Sequence, residues 1–299
     1  MNIIKNIPIP ISGLILALLS LGNLLQDIHP ILRYLFGTLG VIFLILIILK
    51  VILYPTDIRN DFKNPVIVSS SGTFSMSVML LSTYLLPFIP SIAYTLWIIG
   101  IGLHIMLMIY FTYRFIIHDF DINAVYPTYW IVFVGITMAA ITSHSHAVEE
   151  IGFIFFIIGF IAMLITLPLV VYRYIRHGNI PDMNKPLICI FTALPSILIV
   201  GYLNSAQIFN PTFLICLYSI ACIFYIFSFY NLIKYRNLEF YPSFSAFTFP
   251  FVISTLATKG MLSIIGKNSL LNNVLTIETT IATIIVVYVL IRYVKFLKK

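Results

Sequence analysis

Four side chains that could bind a metal ion or transfer a proton occur close together near the middle of the chain. They are His144, His146, Glu149 and Glu150. Imidazole nitrogens and carboxylate oxygens are common zinc ligands, but this group falls in a short polar break between two apolar runs. A solvated turn is the preferred interpretation, so neither a metal site nor a cofactor is predicted.

Motifs of enzymes are incomplete or missing in this sequence. The segment Gly266–Ser269 resembles the end of a phosphate-binding loop, but the earlier glycine and the preceding strand are missing. There is no HExxH, CxxC or nucleophile-elbow motif. The cysteines, Cys189, Cys216 and Cys222, lie within apolar runs and have no metal-ligand spacing. We therefore predict that the protein is not an enzyme.

The composition indicates that these residues belong to a membrane protein. The 299 residues are 61% hydrophobic and 9% charged, with a mean hydropathy of +1.06, whereas soluble domains carry roughly 25% charged residues. Long runs of Leu, Ile and Phe lack the alternation of strands, and helices satisfy their own backbone hydrogen bonds in lipid. The sequence thus predicts an all-α polytopic protein in the lipid bilayer of the plasma membrane.

A unit of about sixty residues recurs five times along the chain. Each copy holds two apolar runs, each long enough at roughly 20 residues to cross a bilayer. Each copy begins at a proline and ends near a cation: Pro8 and Lys50, Pro65 and Arg114, Pro127 and Arg173, Pro186 and Lys234, and Pro242 and Arg292. The first run has no small-residue cleavage site after it, so it is expected to be a helix rather than a signal peptide.

The repeat predicts ten transmembrane helices arranged as five hairpins with pseudo-five-fold symmetry. All of residues 1–299 would form a single transmembrane domain. The approximate hairpins are 8–54, 64–115, 125–173, 185–231 and 241–294.

The positive charges predict the orientation of the hairpins. Of the 17 Lys and Arg residues, all but Arg33, Lys259 and Lys267 fall at the termini or in the links between hairpins. By the positive-inside rule, both termini and these links are cytoplasmic. The net charge of +7 is then a consequence of topology, and no nucleic-acid partner is predicted.

Ser and Thr side chains are more frequent in the odd-numbered helices than in the even-numbered ones. Hydroxyl groups in hydrocarbon need hydrogen-bond partners, whereas Leu, Ile and Phe are stable against lipid. This difference predicts odd helices inside, around a central pore, and even helices outside. The alternative is that the hydroxyls bond to backbone carbonyls of their own helices or assist packing.

Prolines within the inner helices predict kinks. Pro195 and Pro250 lie inside the seventh and ninth predicted helices, where a proline removes a backbone donor and bends the helix. The first and fifth helices have no matching interior proline, and Pro168 lies in an outer helix. Kinked inner helices are therefore expected at two of the five positions.

The strongest local signature lies in the ninth helix, where Ala246–Pro250 is followed by Ser254–Lys259. It resembles the ninth helix of the tellurite-resistance/dicarboxylate transporter family, which includes bacterial TehA, yeast-type malate and sulfite carriers, and plant slow-type anion channels. The ten helices, five hairpins and proline-initiated odd helices match that family over nearly the whole chain. The first helix departs from it, because it lacks the family's aromatic residue and extra glycine.

The resemblance implies a pore for small anions that is closed near its middle by a phenylalanine, which corresponds to Phe249. It also implies a homotrimer with one pore in each subunit. Without the resemblance, Phe249 would be one of 25 phenylalanines packing in a core. An aromatic ring across a narrow apolar pore would block hydrated ions, and its rotation would open the path.

Comparison of the repeats suggests which residues line this pore. Seven residues beyond each opening proline stand Ile15, Gly72, Val134, Ala193 and Phe249, so that one ring would face four smaller side chains. Polar candidates for the lining are Thr137, Ser196 and Thr248.

Ionisable residues in the apolar segments bear on selectivity and mechanism. Lys259 lies seventeen residues beyond Pro242, roughly 25 Å along a helix, where it would attract anions at the external mouth or simply extend to the membrane interface. His104 is expected to be a hydrogen-bonded structural residue of an outer helix. No acidic residue lies deep in an inner helix, which favours passive flow over proton-driven exchange.

The predicted function is a gated channel for small anions such as chloride or nitrate. The alternative is a secondary transporter of four-carbon dicarboxylates, sulfite or tellurite. A structural or sensory membrane protein with a closed core is a third interpretation.

Overall fold

The computed structural model describes residues 3–298, and this part of the chain is helical without any strand. We number the long helices α1 to α10 and treat the fifth as two parts. They are α1 (Ile11–Leu25), α2 (Pro30–Leu53), α3 (Pro65–Leu85), α4 (Pro90–Phe111), α5a (Thr128–Phe133), α5b (Thr137–Ser143), α6 (Glu149–Arg176), α7 (Ile190–Ser205), α8 (Pro211–Tyr235), α9 (Phe249–Ile265) and α10 (Ser269–Leu297). Short helices occupy Ile3–Asn6 and Pro55–Asp61.

Irregular helical segments extend several of these helices. A π-helical turn, Thr112–His118, continues α4, and 3-10 segments at Asp182–Cys189 and Pro242–Phe247 lead into α7 and α9. The regular parts of α7 and α9 therefore begin several residues later than the predicted starts at 185 and 241. The apolar character alone does not distinguish 3-10 from α-helical geometry.

Eight helical stretches among residues 3–298 are long and apolar enough to cross a membrane. They are Pro30–Leu53, Pro65–Leu85, Pro90–His118, Glu149–Arg176, Asp182–Ser205, Pro211–Tyr235, Pro242–Ile265 and Ser269–Leu297. The helix α1 is apolar but has 15 residues, and α5a and α5b have 6 and 7. The prediction of an all-helical, multi-pass membrane protein is therefore confirmed with eight long spans.

Proline and side-chain caps define where several helices begin. Pro65 and Pro211 occupy the first turns of α3 and α8, where a missing backbone donor costs nothing. The side chain of Asn64 accepts hydrogen bonds from Val66 N and Ile67 N, and Asn210 caps α8 in the same way. Pro65, which begins the second repeat, and Pro211, which lies within the fourth, thus start helices for a local reason.

Burial divides the helices into two groups. In the most apolar windows of the α3, α7 and α9 spans, 72%, 94% and 61% of residues are buried, against 39% or less in the other five spans. All of α1 is buried except Asn23, which is half-buried. The even helices expose rows of Ile, Leu and Phe, including Ile45, Ile154 and Ile226. These exposed rows are the surface suited to lipid.

The buried helices pack against one another in a closed sequence. The helix α1 contacts α3, α3 contacts α5a and α5b, α5b contacts α7, α7 contacts α9, and α9 contacts α1 again. Each odd helix also packs against the even helix that follows it. The contacts therefore define a ring of five inner helices, which we call the inner ring.

Most hydroxyl groups of the inner ring are bonded within their own helices. Ser77 Oγ donates to Thr73 O at 2.7 Å, and Ser196 Oγ donates to Thr192 O at 2.7 Å. A few link neighbouring helices, such as Ser12 Oγ and Thr73 Oγ1, which are 2.7 Å apart. The abundance of Ser and Thr in these helices therefore reflects helix packing as well as any polar path.

Candidate functional site

The inner ring encloses a small apolar cavity towards the N-terminal ends of its helices. Its volume is about 50 Å³, and every inner helix, or the turn that leads into it, contributes to its wall. We call it the N-side cavity. Its lining residues are Pro10, Gly13, Ser70, Thr73, Met76, Thr128, Trp130, Ile131, Val134, Gly135, Leu187, Ile190, Ala193, Leu194, Ile197, Ser245, Ala246, Phe249 and Pro250.

A second, larger cavity lies towards the C-terminal ends of the same helices. Its volume is about 450 Å³, and polar and apolar atoms contribute equally to its wall. We call it the C-side cavity. Its lining residues are Ser20, Asn23, Gln26, Arg33, Leu80, Thr83, Met138, Ile141, Thr142, Ser145, Val200, Leu203, Asn204, Ile253, Leu256, Lys259, Gly260 and Ser263.

The wall between the two cavities is about one helical turn thick at four of the five inner helices, and about two turns at α1, between Gly13 and Ser20. In each of four inner helices, the last residue at the N-side cavity and the first at the C-side cavity are three or four positions apart, which is about 5 to 6 Å along a helix. These pairs are Met76 and Leu80, Gly135 and Met138, Ile197 and Val200, and Pro250 and Ile253. We call this wall the septum.

The side chains that bound the septum are buried and apolar. Met76, Met138, Ile197 and Ile253 are each at most 4% exposed. An ion crossing the septum would lose its hydration shell without gaining a polar partner from these side chains, and such constrictions prevent conduction by excluding water. The septum is therefore where an ion path along the ring is interrupted.

Phe249 lies at the septum end of the N-side cavity and is 6% exposed. The chain changes direction just before it, because Thr248 leaves helical geometry with φ −96° and ψ −80° and α9 begins at Phe249. Thr248 Oγ1 donates to Ser245 O at 2.6 Å. Pro250 occupies the first turn of α9, where it costs no hydrogen bond. This break between the 3-10 segment and α9 positions the Phe249 side chain.

The remaining residues that the sequence predicted to line the pore fall into two groups in the structure. Val134 and Ala193 line the N-side cavity together with Phe249. Five others lie outside the linings of both cavities: Ile15, Gly72, Thr137, Ser196 and Thr248. Pro195 lies within α7, which continues through it as one helix.

Two of these five residues face neighbouring helices closely. A Cβ atom on Gly72 would lie 3.0 Å from Ile131, and one on Gly201 would lie 2.3 Å from Thr137 Cγ2. Gly72 and Thr137 therefore belong to helix contacts. In α3 the cavity wall is formed instead by Ser70, Thr73 and Met76, so the repeat alignment is displaced there by one residue.

Arg33 brings a positive charge to the C-side cavity. Its guanidinium donates to Gln26 Oε1 at 2.9 Å and to Thr83 O at 3.0 Å, and it lies 4.6 Å from the centre of the Tyr84 ring. No carboxylate within residues 3–298 forms an ion pair with it. Its charge is thus available to an anion in the cavity.

Lys259 also lines the C-side cavity, but its charge is compensated. Its Nζ lies 2.5 Å from Asp27 Oδ2. The sequence pointed to Lys259 and did not single out Arg33, which enters from an even helix. Arg33 was nevertheless one of the few cations on the sparsely charged side of the chain, and that rarity is the signal that could have identified it.

His104 joins three helices within the core, as expected of a structural residue. Its Nε2 lies 3.0 Å from Val132 O, so Nε2 carries the proton, and Nδ1 lies 2.7 Å from Ser75 Oγ. The side chain is fully buried. Both ring nitrogens are satisfied, and neither faces a cavity.

The polar turn before α6 forms its own contacts. His144 Nδ1 lies 2.8 Å from Glu149 Oε1, and His146 Nε2 lies 2.8 Å from Ser82 Oγ. Within residues 3–298, no three His, Cys, Asp or Glu side chains are grouped so that they could hold a metal ion. This turn therefore offers contacts between neighbouring segments.

Comparison with known proteins agrees with this architecture. Residues 6–294 match the model of a family described as voltage-dependent anion channel, SLAC1. The chain is also similar to an uncharacterized transporter of Methanocaldococcus jannaschii, with 28% identity over 219 residues. That match covers 69% of this chain and 62% of the archaeal protein.

The family match spans both cavities, the septum and all five inner helices. Its members are channels and transporters of anions rather than enzymes, which agrees with the classes of protein that the sequence favoured. A closed ring of helices with a cavity at each end is an architecture suited to moving small solutes. The chain belongs to the SLAC1 family of voltage-dependent anion channels.

Proposed function

We propose that this protein is a gated channel for small anions such as chloride or nitrate, with one conduction path along the axis of the inner ring. The observation that carries this proposal is the pair of cavities on that axis, separated by a septum about one helical turn thick at four of the five inner helices. Because only the septum interrupts this path, a local rearrangement there would make the path continuous. The large C-side cavity, with its polar side chains, would shorten the apolar part of the crossing.

Phe249 is the residue that we propose as the gate. It lies where the N-side cavity meets the septum, beside Val134 and Ala193, which leave room because they are smaller. Rotation of one aromatic side chain would admit water without moving a helix, and a wetted septum conducts ions far better than a dry one. Ser245 and Thr248 hold the turn before Phe249 in place.

The topology that we propose has ten crossings in five hairpins, with residues 1–299 as one domain. The helix α1 and the pair α5a and α5b would supply the two crossings beyond the eight long spans. Both termini would be cytoplasmic, in the plasma membrane, so that the C-side cavity faces the exterior. A homotrimer with one path in each subunit is the assembly that the family suggests.

A secondary transporter of dicarboxylates, sulfite or tellurite is the second candidate. The C-side cavity favours it, because Arg33, Asn23, Gln26 and Asn204 could bind an oxyanion with several oxygens. A transporter would bind its substrate in such a cavity and expose it alternately to each side, whereas a channel would offer a continuous path.

Flux measurements on purified protein in liposomes distinguish these functions. A channel is expected to give chloride or nitrate currents that rise linearly with voltage and do not require a second solute. Saturable flux that depends on exchange or on a co-transported ion would instead establish the transporter. Absence of both kinds of flux across chloride, nitrate, sulfite and malate would rule out both proposals.

Removal of the charge on Arg33 should lower anion flux more than removal of the charge on Lys259. Arg33→Gln is expected to reduce flux roughly three- to tenfold at low ionic strength, because it removes a cation that concentrates anions in the C-side cavity. Lys259→Gln should have a smaller effect, since Asp27 already cancels most of the field of Lys259. Fluxes are measured at low and high salt.

Salt dependence provides the control for this comparison. The loss in Arg33→Gln should shrink at high salt because the field is screened, and Arg33→Lys should restore most of the flux. An equal loss at every ionic strength would show that Arg33 acts by packing against Tyr84. A larger effect of Lys259→Gln would contradict the assigned roles.

A further inference from the structure

The carboxyl group of Glu278 is buried in a membrane-spanning helix and has no cationic side chain as a partner. Glu278 is 7% exposed and lies in α10, nine residues after its start at Ser269, which is roughly 14 Å along the helix. No Lys, Arg or His within residues 3–298 forms an ion pair with it. A lone carboxylate costs several kcal/mol to bury, so this position needs an explanation.

The position of Glu278 points it towards the inner ring. The buried residues of α10 form a stripe with helical spacing, and Glu278 takes a place in it. That stripe consists of Leu271, Glu278, Ala282, Ile285, Val286, Val289, Tyr293 and Leu297. Glu278 is the one ionisable carboxyl group in a row that otherwise packs apolar side chains and a tyrosine against the ring.

Two side chains with hydroxyl groups lie near Glu278, one from α9 and one from α8. The side chain of Thr258 lies beside the Glu278 carboxyl group, and Tyr218 Oη lies 3.0 Å from Thr258 Oγ1. The second oxygen, Glu278 Oε2, is buried and has no hydrogen-bond partner within residues 3–298. A proton on that oxygen would remove the charge that makes burial costly.

The groups around Glu278 offer no positive charge to replace the proton. From α8, the titratable neighbours are Tyr218, Cys222 and Tyr225. The one ionisable side chain in α9 is Lys259, which pairs with Asp27. The other two elements packed against α10 are α1 and the 3-10 segment Pro242–Phe247, and neither has an ionisable side chain. Protonation is therefore the available means of neutralising Glu278.

We propose that Glu278 is a proton-binding site that controls anion flow along the inner ring. This inference rests on the proposed function as an anion channel. Thr258, which lies beside Glu278, is followed in α9 by Lys259 and Gly260, which line the C-side cavity. A helix with its side chains is roughly 10 Å across, so Glu278 lies about that far behind the wall of the cavity.

The sign of the effect follows from the charge. Protonated Glu278 is neutral and leaves the positive field of Arg33 in the C-side cavity unopposed. Deprotonated Glu278 adds a negative charge roughly 10 Å from the path, which at an effective dielectric constant of about 20 lowers the occupancy by a monovalent anion by the order of tenfold. Anion flux should therefore be high at acid pH and fall as the pH rises.

The test compares the pH dependence of flux in liposomes for the wild-type protein and Glu278→Gln. Over pH values from about 5 to about 9, wild-type flux is expected to fall by the order of tenfold, whereas Glu278→Gln stays at the high level throughout. Glu150→Gln is the matched control, because Glu150 is exposed and lies outside both cavities. It should keep the wild-type profile.

A second variant covers the case in which Glu278→Gln does not fold. Thr258→Val removes the hydroxyl that stabilises the charged carboxylate, so the midpoint of the flux profile should move to higher pH. Identical profiles for the wild type and Glu278→Gln would overturn the proposal, as would an unchanged midpoint in Thr258→Val.

Infrared spectroscopy tests the proton site without any flux. The wild-type protein should show a carboxylic C=O band at acid pH that disappears as the pH rises and that is missing from Glu278→Gln. A band that does not titrate in this range would refute the proton site. Titration of the band with no anion flux at any pH would instead show that the proposed channel function is wrong and that the proton site exists.

Discussion

Replacement of Phe249 by alanine is expected to open the path along the inner ring. The Phe249 side chain lines the N-side cavity next to the septum, and Val134 and Ala193, which line the cavity with it, have smaller side chains. We expect anion conductance to rise at least tenfold, which corresponds to a barrier lower by roughly 1.4 kcal/mol or more. The measurement is single-channel or macroscopic current in planar bilayers, with chloride or nitrate as the charge carrier.

Phe251→Ala is the matched control for this variant. Phe251 is two residues further along α9 and fully buried, but it packs against Tyr225 and Phe229 of α8 and lines neither cavity. Both substitutions remove the same ring and should cost about 3 to 5 kcal/mol of stability. Increased conductance in Phe251→Ala as well would attribute the effect to loosened packing. Unchanged conductance in Phe249→Ala would mean that the gate is elsewhere.

Addition of a single methyl group at Gly135 is expected to damage the fold. A Cβ atom there would lie 2.1 Å from Ile131 O, 2.9 Å from Met76 Sδ and 3.0 Å from His104 Cε1. The closest of these atoms is backbone, so relief requires a shift of the chain between α5a and α5b. We expect Gly135→Ala to lose about 3 kcal/mol and to lower the Tm in detergent by the order of 10 °C.

Gly102→Ala provides the comparison for Gly135→Ala. A Cβ atom on Gly102 would meet nothing within 4 Å, and the residue lies in the middle of α4. Alanine is favoured over glycine in a helix by up to about 1 kcal/mol, so the Tm of Gly102→Ala should stay the same or rise. Equal Tm values for Gly135→Ala and the wild-type protein would show that the backbone between α5a and α5b can shift without a loss of stability.

The predictability of the fold differed between outer and inner helices for a physical reason. The outer helices face lipid, so composition and length alone define spans such as Pro211–Tyr235. The inner helices face other helices, and their geometry depends on contacts made by residues far apart in the sequence. The division of the fifth helix and the 3-10 segments before α7 and α9 were therefore not foreseen.

The candidate site was predicted in part. The resemblance of the ninth helix indicated Phe249, and the repeat indicated Val134 and Ala193, all of which line the N-side cavity. The same comparison selected Gly72, whose neighbour Thr73 lines the cavity instead. A displacement of one residue turns a helix by about 100°, because 3.6 residues complete a turn. Sequence spacing therefore predicts the position of a residue along the helix axis more securely than the direction in which its side chain points.

The sequence by itself determined that this chain is an all-helical, multi-pass membrane protein, because the cost of exposing polar backbone in lipid leaves few other solutions. Only the tertiary structure decided which side chains meet. The C-side cavity combines Arg33 from α2 with Lys259 from α9, and α10 buries Glu278 where it packs against α9. Charges act through space over roughly 10 Å, so their consequences depend on neighbours that only the folded chain brings together.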